Sequence, residues 1–376
     1  MLDRQEFHAL MTAALGAPRG ADAAGGLVDP GRVKSRLVEA HPPEGSPDGV
    51  ATLIGHVAEV EGLRADLIGD ELWKLEDGSA RTFVDTLNPR FWQIHSTSSS
   101  SSVARLLKRI TTRFTQLDSA WLPSGQLQQL EGRRLWIKST FNGDTLLGSE
   151  APERRWRARF EGEAPEELLH LLADTRYARA TALAGVGSIV EEPGIGRAHV
   201  VADFRGSFVF GAGGDFEVGA SVLWNVVRRY EALIRSLEDR HQLKLEYGEH
   251  GGFAIDGDVA LIEFPERVDP QLLVEGLFTT KEPFRLWAVP KQIAEEEWEA
   301  NAVDLHVGQP LRLEISPYRV RLLLDEDTCG NTLARMPDEP AAALGRAQPT
   351  RPDCLKSLAE PLKPSLTMTT TPRRSS

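Results

Sequence analysis

The stretch GVGSIVEEPGIGRAHVVADFRGSFVFGAGG, residues 185–214, decides the fold class. It holds three short runs rich in β-branched and aromatic residues, and turns containing glycine separate them. Such runs are typical of antiparallel strands joined by tight turns. A helix is predicted directly afterwards, because apolar residues recur every three or four positions over 217–240 and charges fill the other face. Three strands followed by a helix that can pack on them favour an α+β fold.

The same mixture extends along the chain without a regular βαβ repeat. Strand patterns are found at 81–87, 90–95, 134–141, 156–160, 243–247, 252–255, 259–264, 284–289, 311–315 and 318–325. Helix patterns are found at 3–15, 27–40, 103–116, 164–181, near 270 and at 290–300. Asp256-Gly257 predicts a hairpin, because a type I′ turn needs positive φ at both central residues. We therefore expect mostly antiparallel or mixed sheets with packed amphipathic helices.

Charge and composition divide the chain into four parts. We expect a helical N-terminal segment and linker over 1–48, an α+β unit with a basic island over 49–160, an acidic α+β unit over 161–336 and a disordered tail over 337–376. The boundary near 160 depends on the net charge, which changes from +6 over 101–160 to −15 over 161–330. The tail is rich in proline, serine and threonine. Its abrupt start after a strand pattern also raises the hypothesis of an out-of-frame or truncated end.

Composition excludes several classes of protein. Hydrophobic residues make up 41% of the 376 residues, which is enough for a buried core. No apolar run approaches the roughly 18 residues of a membrane helix, and Asp3 and Glu6 stand where a signal peptide is basic. Two cysteines exclude a disulfide framework. We expect a cytoplasmic protein without a cofactor, and the excess of arginine over lysine suggests a GC-rich, bacterial genome.

Complete catalytic motifs are absent from the sequence: there is no phosphate-binding P-loop, no full dinucleotide fingerprint, no H-E-x-x-H and no G-x-S-x-G. Cys329 has no catalytic context and is expected to be buried and inert. The first hypothesis is therefore a non-catalytic interaction or regulatory component of an intracellular bacterial assembly. Its partner would be another protein or a second copy of the chain, and purification with an associated protein would support it.

A basic island gives the second hypothesis, nucleic-acid binding. Arginines at i, i+4 and i+8 line one face of the predicted helix 103–116, and a serine-rich segment precedes it. Arginine can contact phosphates, and nearby tryptophans can stack on bases. The candidate residues are Arg105, Lys108, Arg109, Arg113, Arg133 and Arg134. The alternative is a solvated helix face that pairs with acidic residues of the same protein.

Acidic residues give the third hypothesis, a metal-dependent hydrolase or nuclease. Asp256, Asp258 and Glu263 lie near two predicted strands and are oxygen ligands of the type that divalent cations bind. The turn alone also explains Asp256 and Asp258. The acidic run 325–327 at a strand end and His95 beside Phe91 are further candidates, for a metal and an anion, with structural roles as the alternative.

Overall fold

Helices and mainly antiparallel strands alternate along the chain, which confirms the α+β class. The computed structural model describes residues 3–17, 32–43, 48–76, 81–141, 156–161, 181–247, 253–264, 267–280 and 284–336. The helices within these ranges are α1 (Arg4–Gly16), α2 (Gly49–Glu61), α3 (Ser100–Arg113), α4 (Ser124–Gln128), α5 (Phe216–His241), α6 (Pro270–Leu277) and α7 (Asn331–Arg335). The strands up to residue 210 are β1 (Val33–Ala40), β2 (Arg64–Gly69), β3 (Leu72–Glu76), β4 (Arg81–Asp85), β5 (Phe91–Ser96), β6 (Leu117–Ser119), β7 (Arg133–Phe141), β8 (Trp156–Glu161), β9 (Thr181–Glu192), β10 (Gly196–Asp203) and β11 (Ser207–Phe210). The remaining strands are β12 (Gln242–Tyr247), β13 (Phe253–Asp256), β14 (Ala260–Glu263), β15 (Leu286–Ala288), β16 (Lys291–Ala294), β17 (Glu297–Asp304), β18 (Pro310–Ser316) and β19 (Arg319–Asp325).

The first sheet contains β1–β11 in the order β2-β3-β4-β5-β1-β11-β10-β9-β7-β8, with β6 also paired to β1. The stretch 185–214 forms its antiparallel β9–β11 part, as predicted. The prediction of a helix over 27–40 is wrong, because β1 lies in the middle of this sheet between β5 and β11. Val33, Leu37 and Ala40 are spaced as on a helix, but pairing on both edges outweighs this local pattern.

The second sheet contains β12–β19, and its main path is β13-β12-β19-β18-β17-β15. The pairing of β12 with β19 is parallel. The acidic helix predicted over 290–300 is wrong, because this segment is the β16–β17 hairpin with Glu296 at positive φ in its turn. Ala300 and Ala302 are buried at alternate positions of β17, which is the period of a strand.

The hairpin predicted at Asp256-Gly257 is also wrong. Gly257 does adopt positive φ, so a turn is present. However, β13 pairs with β12, while β14 pairs with β19. The turn therefore connects two strands that lie beside different neighbours, because local turn chemistry does not decide which strands pair.

One hydrophobic core joins both sheets. It contains Leu37 of β1, Phe210 of β11, Tyr230 of α5 and Leu322 of β19. The predicted helix 217–240 is confirmed as α5, whose apolar side is buried in this core. A second, smaller core lies between the other face of the first sheet and the helices α2 and α3.

Other predictions, on helix positions and on the domain boundary, are confirmed only in part or lie outside the described residues. The predicted helix 103–116 is confirmed as α3, whereas α2 was missed. The predicted helix 164–181 lies almost wholly outside the described residues, and the predicted disordered tail lies wholly outside them. The predicted boundary near 160 falls within the first sheet, because β7 pairs with both β8 and β9. The division into domains itself stays a prediction.

None of the helices in the described ranges is long and apolar enough to cross a membrane.

Candidate metal centre

The basic residues of α3 lie on its exposed face, but two of them have a partner within the protein. The Glu61 carboxylate, whose side chain is 2% exposed, lies 2.6 Å from Arg109 Nε and 2.7 Å from Arg113 Nη1. Arg105 and Lys108 are exposed beside them. Two of the four basic groups therefore neutralise a buried carboxylate at the end of α2.

Arg133 and Arg134 belong to β7, which is the fourth strand from β1 in the first sheet. Arg133 is exposed, while Arg134 donates hydrogen bonds to Ser188 Oγ and to the carbonyl of Gln128. These residues lie on a different element from the α3 residues. Binding of nucleic acid by the six residues stays a prediction.

The structure spreads the three predicted acidic ligands over exposed positions. Asp256 ends β13, and Glu263 lies on β14 opposite Arg319. Asp258 pairs with Arg240, 3.3 Å away. Within the described part of the chain, these three residues belong to no group of carboxylates, histidines or cysteines close enough to share a metal ion. Metal binding by them stays a prediction.

His95 and the acidic run 325–327 differ in burial. His95 is buried against Phe7 and Phe216, and its Nδ1 lies 2.7 Å from Ser35 Oγ. Burial lowers the pKa of His95 to about 4, so the ring is neutral. The acidic run is exposed and leads directly to Cys329.

A different cluster lies where the two sheets meet. Glu39, His41, His306 and Cys329 each direct one metal-binding atom to a common point, and these four atoms all lie within 4.8 Å of one another. No other such group is found among the described residues. Donor atoms around a tetrahedral zinc ion are about 3.3–3.8 Å apart, given bonds of about 2.0–2.3 Å. Small movements of side chains would bring the four atoms to that spacing.

Each ligand is positioned by its own element. Glu39 lies near the end of β1, and His41 follows that strand, held by a hydrogen bond from its N–H to the carbonyl of Gln116. His306 lies in the turn between β17 and β18, where its N–H bonds to Asp304. Cys329 precedes α7. The first sheet thus contributes two ligands, and the segments around the second sheet contribute the other two.

The buried side-chain atoms of this cluster are not all satisfied. Glu39 Oε2, His41 Nε2 and His306 Nε2 are buried atoms without a hydrogen-bond partner. The other ring nitrogen of His306, Nδ1, is 3.0 Å from the carbonyl of Thr115. A metal-binding histidine commonly bonds a carbonyl in this way, which leaves Nε2 with its lone pair for the ion. Unsatisfied buried polar atoms are costly, and three of them on residues of one cluster require an explanation.

The protonation states also suit a metal. Burial lowers the pKa of His306, so its ring is neutral. Burial alone would raise the pKa of Glu39, but its contacts with His41 and Arg90 hold that pKa well below the usual range. Burial raises the pKa of the Cys329 thiol well above its ordinary value, and the Glu39 charge raises it further. A metal ion that binds Cys329 would have to displace the proton of its thiol.

Arg90 fixes the orientation of the Glu39 carboxylate. Its Nε and Nη2 donate to Glu39 Oε1 over 2.9 and 2.7 Å, and its Nη1 donates to Glu238 of α5 over 2.7 Å. Oε1 also lies 3.4 Å from Cys329 Sγ and 3.5 Å from His41 Nε2. Oε2 is a buried atom without a hydrogen-bond partner. The guanidinium therefore holds the carboxylate in place beside Cys329 and His41.

The net charge of the groups around the cluster is negative, which favours binding of a cation. Among the described residues, four carboxylates and three guanidinium groups surround it: Glu39, Asp118, Glu238 and Asp304, with Arg90, Arg285 and Arg335. One negative charge is in excess. A divalent ion bound to a thiolate adds one positive charge, so the metal-bound cluster would be neutral.

Comparisons with known proteins give the family. The model of MJECL33-like proteins matches residues 28–337. The chain belongs to the MJECL33-like family. It is 24% identical over 300 residues to the uncharacterized protein MJECL33 of Methanocaldococcus jannaschii. This alignment covers 68% of the present chain and 72% of the relative. An archaeal relative does not support the expected bacterial origin. No solved structure matches the chain.

The matched MJECL33-like region contains all four ligands of the cluster. Sequence reasoning missed them, because Glu39 and His41 are separated from His306 and Cys329 by more than 260 residues. The one local signal is the pair Glu39-x-His41, which is too short to indicate a site. Burial of Cys329, by contrast, is confirmed.

Proposed function

We propose that the protein binds one divalent transition metal ion of the Zn²⁺ class through Glu39, His41, His306 and Cys329, and that the ion holds the two sheets together. The observation that carries this proposal is the cluster itself. One metal-binding atom from each of the four residues lies within 4.8 Å of the others, and three of these residues have a buried side-chain atom without a hydrogen-bond partner. Imidazole and thiol donors favour Zn²⁺ over Mg²⁺ or Ca²⁺, which prefer oxygen ligands.

The position of the ligands supports a stabilising role for the ion. Four protein donors complete a tetrahedral set, which is the arrangement of structural zinc sites. Glu39 belongs to the first sheet, whereas His306 and Cys329 come from segments attached to the second. An ion bound by both groups would resist separation of the sheets.

The earlier expectation of a non-catalytic component is kept as part of this proposal. A stabilising ion requires no substrate, and interaction with another protein or a second copy of the chain is compatible with it. We also propose a cytoplasmic location, because a thiolate ligand stays reduced there.

Metal analysis of the full chain tests the proposal. We expect one Zn²⁺ per chain after loading and dialysis, and an increase in melting temperature on adding Zn²⁺ to chelator-treated protein, since a ligand that binds only the folded state stabilises it. Cys329→Ala should abolish both effects. Cys354→Ser is the matched control, because Cys354 is the other cysteine of the sequence and lies outside the described residues.

Two results would contradict the proposal. One is wild-type protein that retains no Zn²⁺ and melts at the same temperature with and without it. The other is Zn²⁺ binding that survives Cys329→Ala but is lost in Cys354→Ser.

A further inference from the structure

The four ligands differ in their access to solvent. The side chains of Glu39, His306 and Cys329 are at most 1% exposed, whereas that of His41 is 29% exposed. His41 therefore lies at the rim of the cluster, with its Nε2 turned inward and part of its ring in water. The other three donors form a buried base that reaches both sheets.

The two histidines also differ in how firmly they are held. His306 is fixed through Nδ1 by the Thr115 carbonyl and through its N–H by Asp304. The His41 ring contacts the His306 ring edge to face, with centroids 4.8 Å apart, and its Nε2 lies 3.5 Å from Glu39 Oε1. Turning the His41 side chain outward would uncover one side of the cluster, whereas no similar rotation frees His306.

We infer that His41 is the displaceable ligand: the metal ion enters and leaves past it, and an exogenous nitrogen- or sulfur-donor ligand binds the ion in its place. This inference rests on the proposed metal binding. Three remaining donors, Glu39, His306 and Cys329, still connect both sheets when His41 is displaced. A set of three protein ligands with a fourth position open to another molecule is the arrangement found in catalytic zinc sites.

Cobalt(II) and imidazole test the inference with the full chain. Co²⁺ replaces Zn²⁺ in tetrahedral sites and gives a visible absorption spectrum that reports the ligand set. We expect His41→Gly to weaken Co²⁺ binding by about tenfold or more. Millimolar imidazole, which can enter the space left at the rim, should restore both the affinity and the spectrum. His306→Gly is the matched control, because it removes the same ring from a buried position and should gain nothing from imidazole.

The outcomes separate this inference from the proposed function. If wild-type protein binds no Co²⁺ or Zn²⁺, the proposed function fails and the inference fails with it. If the wild type binds Co²⁺ but imidazole restores His306→Gly as well as His41→Gly, or restores neither, metal binding stands and the displaceable role of His41 is wrong. His41→Gln serves as a second variant of similar size if His41→Gly does not fold. It should bind Co²⁺ with a spectrum that changes when imidazole is added, and an unchanged spectrum overturns the inference.

Discussion

The thiol of Cys329 donates a hydrogen bond to Oε1 of Glu39 over 3.4 Å, although 290 residues separate the two along the chain. The same oxygen accepts two N–H groups of Arg90, so the thiol, the carboxylate and the guanidinium form one buried network. The Cys329 proton lies on the atom that would bind the metal. Metal binding and loss of this proton are therefore coupled.

This coupling predicts a dependence on pH. Because burial raises the pKa of Cys329 well above its ordinary value, the thiol carries its proton at pH 7 to 8.5, and a bound ion must release it. We expect the Zn²⁺ association constant to rise by about tenfold per pH unit over this range. Competition with a chelator at several pH values measures it. Cys329→Ala should bind weakly and show no such slope, and a flat profile in the wild type would contradict the coupling.

Arg90 should control both metal affinity and stability. In Arg90→Met, Glu39 and Glu238 lose their shared cation, so we expect Zn²⁺ affinity to fall by about 10–100-fold. The free energy of unfolding should fall by about 3 kcal/mol, because buried carboxylates lose their partner. Arg90→Lys should retain part of the Zn²⁺ affinity and part of the stability, since lysine keeps the charge but cannot make the bidentate contact.

Arg321→Met is the control for Arg90. Arg321 pairs with Glu314 on the outer face of the second sheet, where a salt bridge contributes about 0–1 kcal/mol. Titration with Zn²⁺ and unfolding in urea give both quantities. Equal losses in the Arg90 and Arg321 variants would show that Arg90 has no special role.

The basic residues of α3 should separate into two pairs. Replacing Arg109 and Arg113 by alanine leaves the buried Glu61 carboxylate without its two cations, and we expect a loss of about 2 kcal/mol in stability. Replacing the exposed Arg105 and Lys108 should change stability by less than about 0.5 kcal/mol. Urea unfolding distinguishes the two.

The same variants test nucleic-acid binding. If the nucleic-acid-binding hypothesis is correct, replacing Arg105 and Lys108 lowers the affinity for an oligonucleotide. Binding by the wild-type protein should then also weaken steeply as the salt concentration rises. If neither variant alters the affinity for an oligonucleotide, the basic residues of α3 do not bind nucleic acid.

His95 should make the fold sensitive to acid. Its pKa is about 4 in the folded protein, below the ordinary histidine value of about 6.5, so the unfolded chain binds more protons between these two pH values. Its contribution is therefore fully present above about pH 6.5 and is lost as the pH falls toward 4, amounting to about 3 kcal/mol. Urea unfolding between pH 4 and 7.5 measures this. His95→Gln should show a shallower decline, and an equally steep one would assign the effect to other groups.

Replacing two helical glycines by alanine should have opposite effects on the stability of the fold. Gly219 of α5 lies against the Phe210 ring, and an added Cβ would be 2.7 Å from Phe210 Cδ1. We expect Gly219→Ala to destabilise the fold by about 1–3 kcal/mol through overpacking. Gly55 of α2 has no atom within 4 Å of an added Cβ, so Gly55→Ala should stabilise by about 0.5–1 kcal/mol. The melting temperatures of the two variants test this difference. If both substitutions raise the melting temperature, the Phe210 side chain moves aside to accommodate the added methyl group.

The sequence by itself determined the elements whose pattern is local. Glycine-separated strands over 185–214, the helix α5 and the basic face of α3 are all visible in the spacing of side chains, since each pattern reports the period of its own backbone. The same reasoning failed for β1 and for the β16–β17 hairpin. There, pairing with neighbouring strands outweighs a spacing that resembles a helix.

Only the tertiary structure decided the candidate metal centre. Glu39 lies in β1 and His41 directly follows it, whereas His306 and Cys329 lie in segments attached to the second sheet, so no spacing in the sequence relates the two pairs. Their donor atoms meet because both sheets share one core, which brings the end of β1 against the turn after β17 and the start of α7. The sequence supplies the ligand chemistry, but the distance between ligands depends on long-range packing, which local patterns do not encode.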